Sequence, residues 1–342
     1  MCRNAEGVLM PPSRKKEIMK VIPSPSWTLD MGVSFSLLNR FIACRDRFQM
    51  YAVQGMREPS NSQDAMNFGT YFHRLLEFHA KDQRCSADTV IRKVSKLKSS
   101  VAIKPVEKMM ANMIFREYLN WYGNNVYFYF DQEVKFDLKY PVPGAGNIRI
   151  RGKVDECINH SDGTIWVQEN KTKDKIQDRL LEQVIPFQLQ TLMYAVAMEK
   201  HFKRRVGGVV YNVIRKPSHK QKDKESDEQF VGRVREILLK EPGYFFYRWE
   251  YPLTRERLDD FRKKTFEPLL RQIYVWWESI KHDPFSPWVD QNGLPNENHF
   301  QHPFGCYNGL IHGEGDFYDL IVRGNQLGIS LGNEPFSELR EE

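Results

Sequence analysis

One stretch of the chain gathers side chains suited to chemistry: Ile148 to Lys173, reading IRIRGKVDECINHSDGTIWVQENKTK. Apolar and polar residues alternate through Ile148, Ile150 and Val154 and again through Ile165 and Val167, while Asn159 to Gly163 is dense in turn formers. That is the pattern of a β-hairpin. Asp155 falls on its first strand, Glu169 near the end of the second, and Lys171 two residues later. Because strand side chains alternate faces, Glu169 and Lys171 point the same way. Two carboxylates beside an ammonium group suit metal-dependent chemistry. The plainer alternative is a surface hairpin whose charges are solvated or paired with one another.

Other elements must bring partners to this hairpin. From Ser34, SFSLLNRFIACRDRFQMYAV places Leu37, Leu38, Phe41, Ile42, Cys44, Phe48 and Tyr51 at helical spacing, with Ser34 or Ser36 as N-cap. MNFGTYFHRLLEFHA, Met66 to Ala80, predicts a second helix that buries Phe68, Phe72, Leu75 and Leu76. Gly69, His73 and Glu77 recur every four residues along one side of it. Glycine there permits close approach of another backbone, and His73 is either a metal ligand or a hydrogen-bonded core residue.

Residues 86–122 read as a helical lobe, and Asn125 to Tyr140 as a strand that enters the hairpin across a PVPGAG turn. Beyond Lys171, PFQLQTLMYAVAMEKHF predicts a helix opened by Pro186, with Gln190 and Tyr194 four apart on one side. VGGVVYNVIRK, Val206 to Lys216, predicts another buried strand. Strand, hairpin, helix, strand implies an α/β fold, a central mixed β-sheet flanked by helices. Residues 216–230 form a charged loop, GYFFYRWEYPL an edge strand, and Thr254 to His282 a long amphipathic helix whose aromatics belong to the core.

The ordered set SFSLLNRFIACRDRF, NFGTYFHRLLE, GKVDE, QENKTK and QLQTLMY, spanning Ser34 to Tyr194, resembles the RecB-like exonuclease branch of the PD-(D/E)XK superfamily, as found in phage and CRISPR-adaptation nucleases. While residues 1–30, with Pro11, Pro12, Pro23 and Pro25, the basic run Arg14 to Lys16 and little periodicity, read as a flexible tail, the resemblance implies a restriction-endonuclease-like core in one domain over residues 31–342. It implies that His73, Asp155, Glu169 and the backbone carbonyl of Asn170 hold Mg2+ or Mn2+. Asp155, Glu169 and Lys171 would be the catalytic set, Gln190 and Tyr194 of a QxxxY motif would meet the substrate, and Glu77 is a further candidate. Phosphodiester hydrolysis suits these residue types: a hard cation needs oxygen ligands, and a lysine can orient or help deprotonate the attacking water. An imidazole ligand tilts the preference toward manganese.

Many proteins of that branch hold a four-iron cluster on one cysteine near the Cys44 position and three near the C-terminus. Only Cys44 and Cys306 stand there in this chain, so no iron–sulfur cluster is expected. His299, His302, Cys306 and His312 match no compact zinc spacing.

The expected activity is a metal-dependent deoxyribonuclease in recombination, repair or phage DNA processing, acting on single-stranded DNA or duplex ends. It is expected to be an exonuclease, because nothing resembles a sequence-reading module. The alternative is a non-catalytic nucleic-acid-binding subunit of a repair or recombination complex. No GxxxxGK[ST] phosphate loop occurs, so any helicase or recombination motor is a separate chain. With 50 Lys and Arg against 44 Asp and Glu in 342 residues, the net charge of +6 mildly favours anionic partners. Five scattered cysteines without a CxxC fit a reducing compartment. No apolar run approaches the roughly 20 residues of a membrane span, and no signal-peptide core is evident. A cytoplasmic protein of a bacterial or phage-infected cell, with no membrane partner, is expected.

Overall fold

The computed structural model describes residues 24–43, 45–57, 63–97, 103–123, 128–160, 162–173, 183–284 and 330–331. The elements run α1 (Phe35–Ala43), α2 (Arg45–Phe48), β1 (Met56–Arg57), α3 (Gln63–Lys81), α4 (Ala87–Ser95), α5 (Pro105–Tyr122), β2 (Phe128–Val142), β3 (Gly146–Asn159) and β4 (Ile165–Lys173). Then follow α6 (Leu189–Phe202), β5 (Val206–Arg215), α7 (Asp227–Lys240), α8 (Pro242–Phe245), β6 (Phe246–Pro252), α9 (Arg255–Phe261), α10 (Glu267–Ile280) and β7 (Ser330–Leu331). β1 and β7 make a two-residue antiparallel ladder.

The sheet is mixed, as the order of motifs implies. Its strands lie in the order β2-β3-β4-β5-β6, antiparallel except for β4 against β5, which are parallel and joined through α6. A parallel pair needs such a crossover, and helices then cover both faces. Ile165 to Asn170 of β4 are accordingly buried without alternation.

On one face α1, α6 and α10 pack with Ile165, Val167 and Val209 of the sheet. On the other, Phe72 and Leu75 of α3, Val90 of α4, Ile114 and Phe115 of α5 and Val234 of α7 pack with Ile214. The helices of 86–122 are thus a layer of the core. They bury Val90, Val94, Ile114 and Phe115 almost completely.

Four sequence expectations are adjusted. The lead-in before residue 31 is not all tail: Trp27 is fully buried, donates from its indole N–H to the Gly32 carbonyl at 2.8 Å and meets Phe48 and Trp277 edge-on. Its flanking prolines and serines hid that anchor. The charged loop after Lys216 ends at Ser226, which caps α7 in a reciprocal box with Gln229. That box makes a helix start out of a run that composition marks as loop. The long helix at 254–282 is interrupted by a π-turn at Arg262–Phe266, between α9 and α10. Lastly, β3 does not keep one alternation. Ile148, Ile150 and Val154 face the α6 core, and so does Cys157, an odd number of residues further on. Residues 1–23, Cys44, and the His299, His302, Cys306 and His312 group lie outside the described residues. Among the described residues, no helix is long and apolar enough to cross a membrane.

Candidate active site

The register of the hairpin brings the chemistry together. The antiparallel β3–β4 ladder ends at the pair Glu156–Gln168, and just beyond it Asp155 and Glu169 come close enough for the Asp155 charge to act on the Glu169 carboxyl. Asp155 lies in the step where β3 changes parity, and across β2 it falls level with Glu133, between the pairs Gln132–Glu156 and Val134–Val154. Glu133 has φ +50°, a left-handed conformation that non-glycine residues seldom adopt. The β2–β3 register slips nearby, between Tyr129 and Asp131 opposite Ile158 and Cys157, so the ladder is irregular within a few residues of Asp155, as strands near functional sites commonly are.

Asp155 is clamped by its neighbour strand: the Asn170 amide donates to Asp155 Oδ2 at 2.8 Å. His73 Nδ1 approaches the same oxygen at 3.8 Å, and His73 also hydrogen-bonds the Asn170 backbone. α3 can come this close because Gly69, one turn before His73, has no side chain; a Cβ there would stand 3.0 Å from Thr172 Oγ1 of β4. Burial holds the His73 pKa below its ordinary value, against the opposing pull of Asp155. A neutral imidazole is the ligand form.

Glu169 is almost fully buried. Its Oε1 accepts from Lys171 Nζ and from Gln190 Nε2 at 2.6 Å, while Lys171 Nζ also donates to Gln190 Oε1 at 3.2 Å. Tyr194 OH lies 3.4 Å from Gln190 Nε2, one helical turn further along α6. Gly152 makes room for this corner: a Cβ there would strike the Phe136 ring at 2.6 Å and touch Tyr194 Cε1 at 3.4 Å. Burial first, and Asp155 second, push the Glu169 carboxyl above the usual carboxylate range, with Lys171 opposing. Burial alone would lower the Lys171 pKa, but Glu169 outweighs it and keeps the ammonium charged.

The donor set suits a hard divalent cation. Glu169 Oε2 is buried with no hydrogen-bond partner, and a buried ionised oxygen is costly unless a donor or a cation meets it. Glu169 and Asp155 also repel one another, and a cation between them relieves both penalties. Among the described residues, no group of three His, Cys, Asp or Glu side chains is drawn together tightly enough to hold a metal unaided. A backbone oxygen or water must complete any such shell. Glu77 pairs with Lys81 one turn along α3, and its charge also acts on Glu133 and Lys153, which in turn interact with Asp155.

Sequence reasoning missed the layer behind the site. On the reverse face of β4, Gln168 Nε2 donates to Glu156 and to Asn170 Oδ1 at 3.1 Å. Asn212 Nδ2 on β5 donates to Asn170 Oδ1 at 2.7 Å and to Tyr118 OH at 2.9 Å. Arg248 reaches the same Tyr118 hydroxyl at 2.7 Å. Burial raises the Glu156 pKa to about 8, so near neutral pH the carboxyl is largely protonated. The available signal was an asparagine inside the β-branched run VVYNVI and a Glu and Gln facing each other across the hairpin register.

A family model described as PD-(D/E)XK nuclease superfamily matches residues 32–291. No curated protein matches the chain. Among solved structures, an Eubacterium rectale protein provisionally named an exonuclease aligns with a TM-score of 0.41 at 10% identity, over 72% of this chain and 81% of that one. The structure of SSO0001 aligns with a TM-score of 0.26 at 14% identity, over 66% of this chain and 85% of that one. Both likenesses are weak, and the assignment rests on the family match, which covers both strands of the hairpin, α3 and α6. The chain belongs to the PD-(D/E)XK nuclease superfamily.

Proposed function

We propose that the chain is a metal-dependent deoxyribonuclease of the RecB-like kind, an exonuclease that hydrolyses phosphodiester bonds in DNA during recombination, repair or phage DNA processing. The observation that carries this reading is the division of Glu169 between its two oxygens. Oε1 is held by Lys171 and Gln190, while the buried Oε2 has no hydrogen-bond partner and the carboxyl feels the charge of nearby Asp155. Asp155, Glu169 and the Asn170 carbonyl, with a neutral His73, would hold Mg2+ or Mn2+. Bound there, the ion supplies charge neutralisation at the scissile phosphate and acidifies water. Lys171 holds the attacking water in line and offsets negative charge developing on the phosphate. Gln190 fixes Lys171 against Glu169, and Tyr194 offers its hydroxyl to the backbone of the bound strand.

Digestion of end-labelled single-stranded, duplex and circular DNA with Mg2+ or Mn2+ tests this. Asp155→Asn and Lys171→Ala are expected to lower the rate by about 10³-fold or more, the scale on which one preorganised charged group acts. Linear DNA is expected to be degraded from its ends and circular DNA spared. Wild-type rates in both variants, or circular DNA cut as fast as linear, would overturn the assignment.

A further inference from the structure

The active-site face of the sheet continues past Glu169 and Lys171 to the outer strand. In parallel register Glu169 pairs with Tyr211 and Lys171 with Val213. In the next ladder Tyr211 pairs with Trp249 and Val213 with Tyr247. Paired residues share a face, so two rows, Glu169–Tyr211–Trp249 and Lys171–Val213–Tyr247, cross three strands side by side. Neighbouring strands lie about 4.8 Å apart, which puts Trp249 on the order of 10 Å from the catalytic carboxylate. The Tyr247 and Trp249 rings are parallel, 5.2 Å apart and inclined by 10°, and both are partly exposed. One cation borders them: Lys173, two residues past Lys171 on the same face of β4 and partly exposed, pairs with Arg215, whose own buried guanidinium lies 3.7 Å over the Tyr244 ring. The turn before α6 closes the strip on its inner side, with Ile185 packed on Tyr211 and Val213. It ends in Phe187, 69% exposed, with the Arg257 guanidinium 4.6 Å over its ring.

We propose that this aromatic strip is the track for single-stranded DNA entering the candidate active site, and that it makes the enzyme select an unpaired strand. This rests on the nuclease reading above. Flat π faces interleaved with cations suit a strand whose bases can be splayed and stacked while phosphates meet Lys and Arg. A base pair inside a duplex has its faces covered by its neighbours and cannot use Trp249 or Tyr247. Continuity with Glu169 and Lys171 sets the direction: a phosphate between Asp155 and Glu169 puts an adjacent base within reach of the strip. Phe187, three residues before Gln190, stands at its edge, where one further base can stack.

The test is binding without turnover. Full-length protein in EDTA is titrated into fluorescein-labelled oligo(dT), oligo(U) and a blunt duplex, followed by anisotropy, for wild type, Trp249→Ala, Trp249→Phe and Phe187→Ala. Wild type is expected to bind oligo(dT) more tightly than the blunt duplex. One lost stack predicts a weakening of about 5- to 100-fold for oligo(dT) in Trp249→Ala, with duplex binding unchanged and Trp249→Phe close to wild type. Phe187→Ala, at an exposed position that leaves the fold intact, is expected to weaken oligo(dT) in the same sense by about 3- to 10-fold. Equal losses for duplex and oligo(dT), no loss in either alanine variant, or tighter binding of oligo(U) would overturn the proposal. Because no metal and no cleavage are involved, a protein inactive as a nuclease still reports on the strip.

Discussion

At the scale of single residues, Gln190 is the joint of the site. It is bonded to both Glu169 and Lys171, so it fixes the rotamers of the acid and the ammonium together, and Tyr194 backs it from the next turn. Groups that orient a metal ligand typically matter by 10- to 100-fold. Gln190→Leu is therefore expected to lower kcat by about 10- to 100-fold with little change in melting temperature, because the side chain is only part-buried. Steady-state kinetics beside a thermal melt separate the two, and a variant that loses stability and keeps kcat would contradict this role. Gly69 acts through distance alone. Gly69→Val must push α3 away from Thr172, where even a Cβ would stand at 3.0 Å, and so draw His73 off Asp155. The expected result is weaker Mn2+ binding by isothermal titration, with α-helical content retained in circular dichroism.

At the scale of elements, β4 is a strand with two jobs. One face carries Glu169 and Lys171; the other sends Gln168 and Asn170 into the polar cluster with Glu156, Asn212 and Tyr118. Asn170 links the faces, because its side chain is held from behind while its backbone amide clamps Asp155. Asn212→Leu removes the donor shared by Asn170 and Tyr118 and leaves buried acceptors short of partners, at a cost of about 1–3 kcal/mol. Denaturant unfolding should show that loss, and metal affinity should fall with it. Unchanged metal affinity in a destabilised variant would mean that the cluster only braces the sheet. The sequence made β4, the hairpin turn and α6 legible, because period-two and period-3.6 patterns and the Pro186 start are local signals. It hid the parity change of β3 between Val154 and Cys157, since a local twist of the strand alters no composition. It hid the reverse-face cluster too, whose members come from α5, β3, β4, β5 and β6 and converge only through the sheet register.

At the scale of the whole molecule, the candidate site is where the two helical layers meet through the sheet. α3, from one layer, brings His73 to the Asp155 carboxylate. α6, from the other, brings Gln190 and Tyr194 to Glu169. Without a cation, burial and the neighbouring Asp155 charge push the Glu169 carboxyl above the usual carboxylate range, and its buried Oε2 has no partner. A divalent ion held at the proposed site, binding only the folded chain, would act as a clasp between layers. Linkage gives about 2.7 kcal/mol of added stability at a ligand concentration one hundred times Kd. For a domain of this size that amounts to a melting-temperature rise of about 4 °C. Calorimetric melts with and without Mn2+ should show the rise in wild type and its loss in Asp155→Asn. Asp155→Asn removes the charge that opposes ionisation of Glu169, so its metal-free melting point should equal or exceed that of the wild type. An equal Mn2+ shift in both proteins would place the ion elsewhere, and a metal-free Asp155→Asn that melts well below wild type would show that the Asn170 clamp on Asp155 outweighs the repulsion it creates.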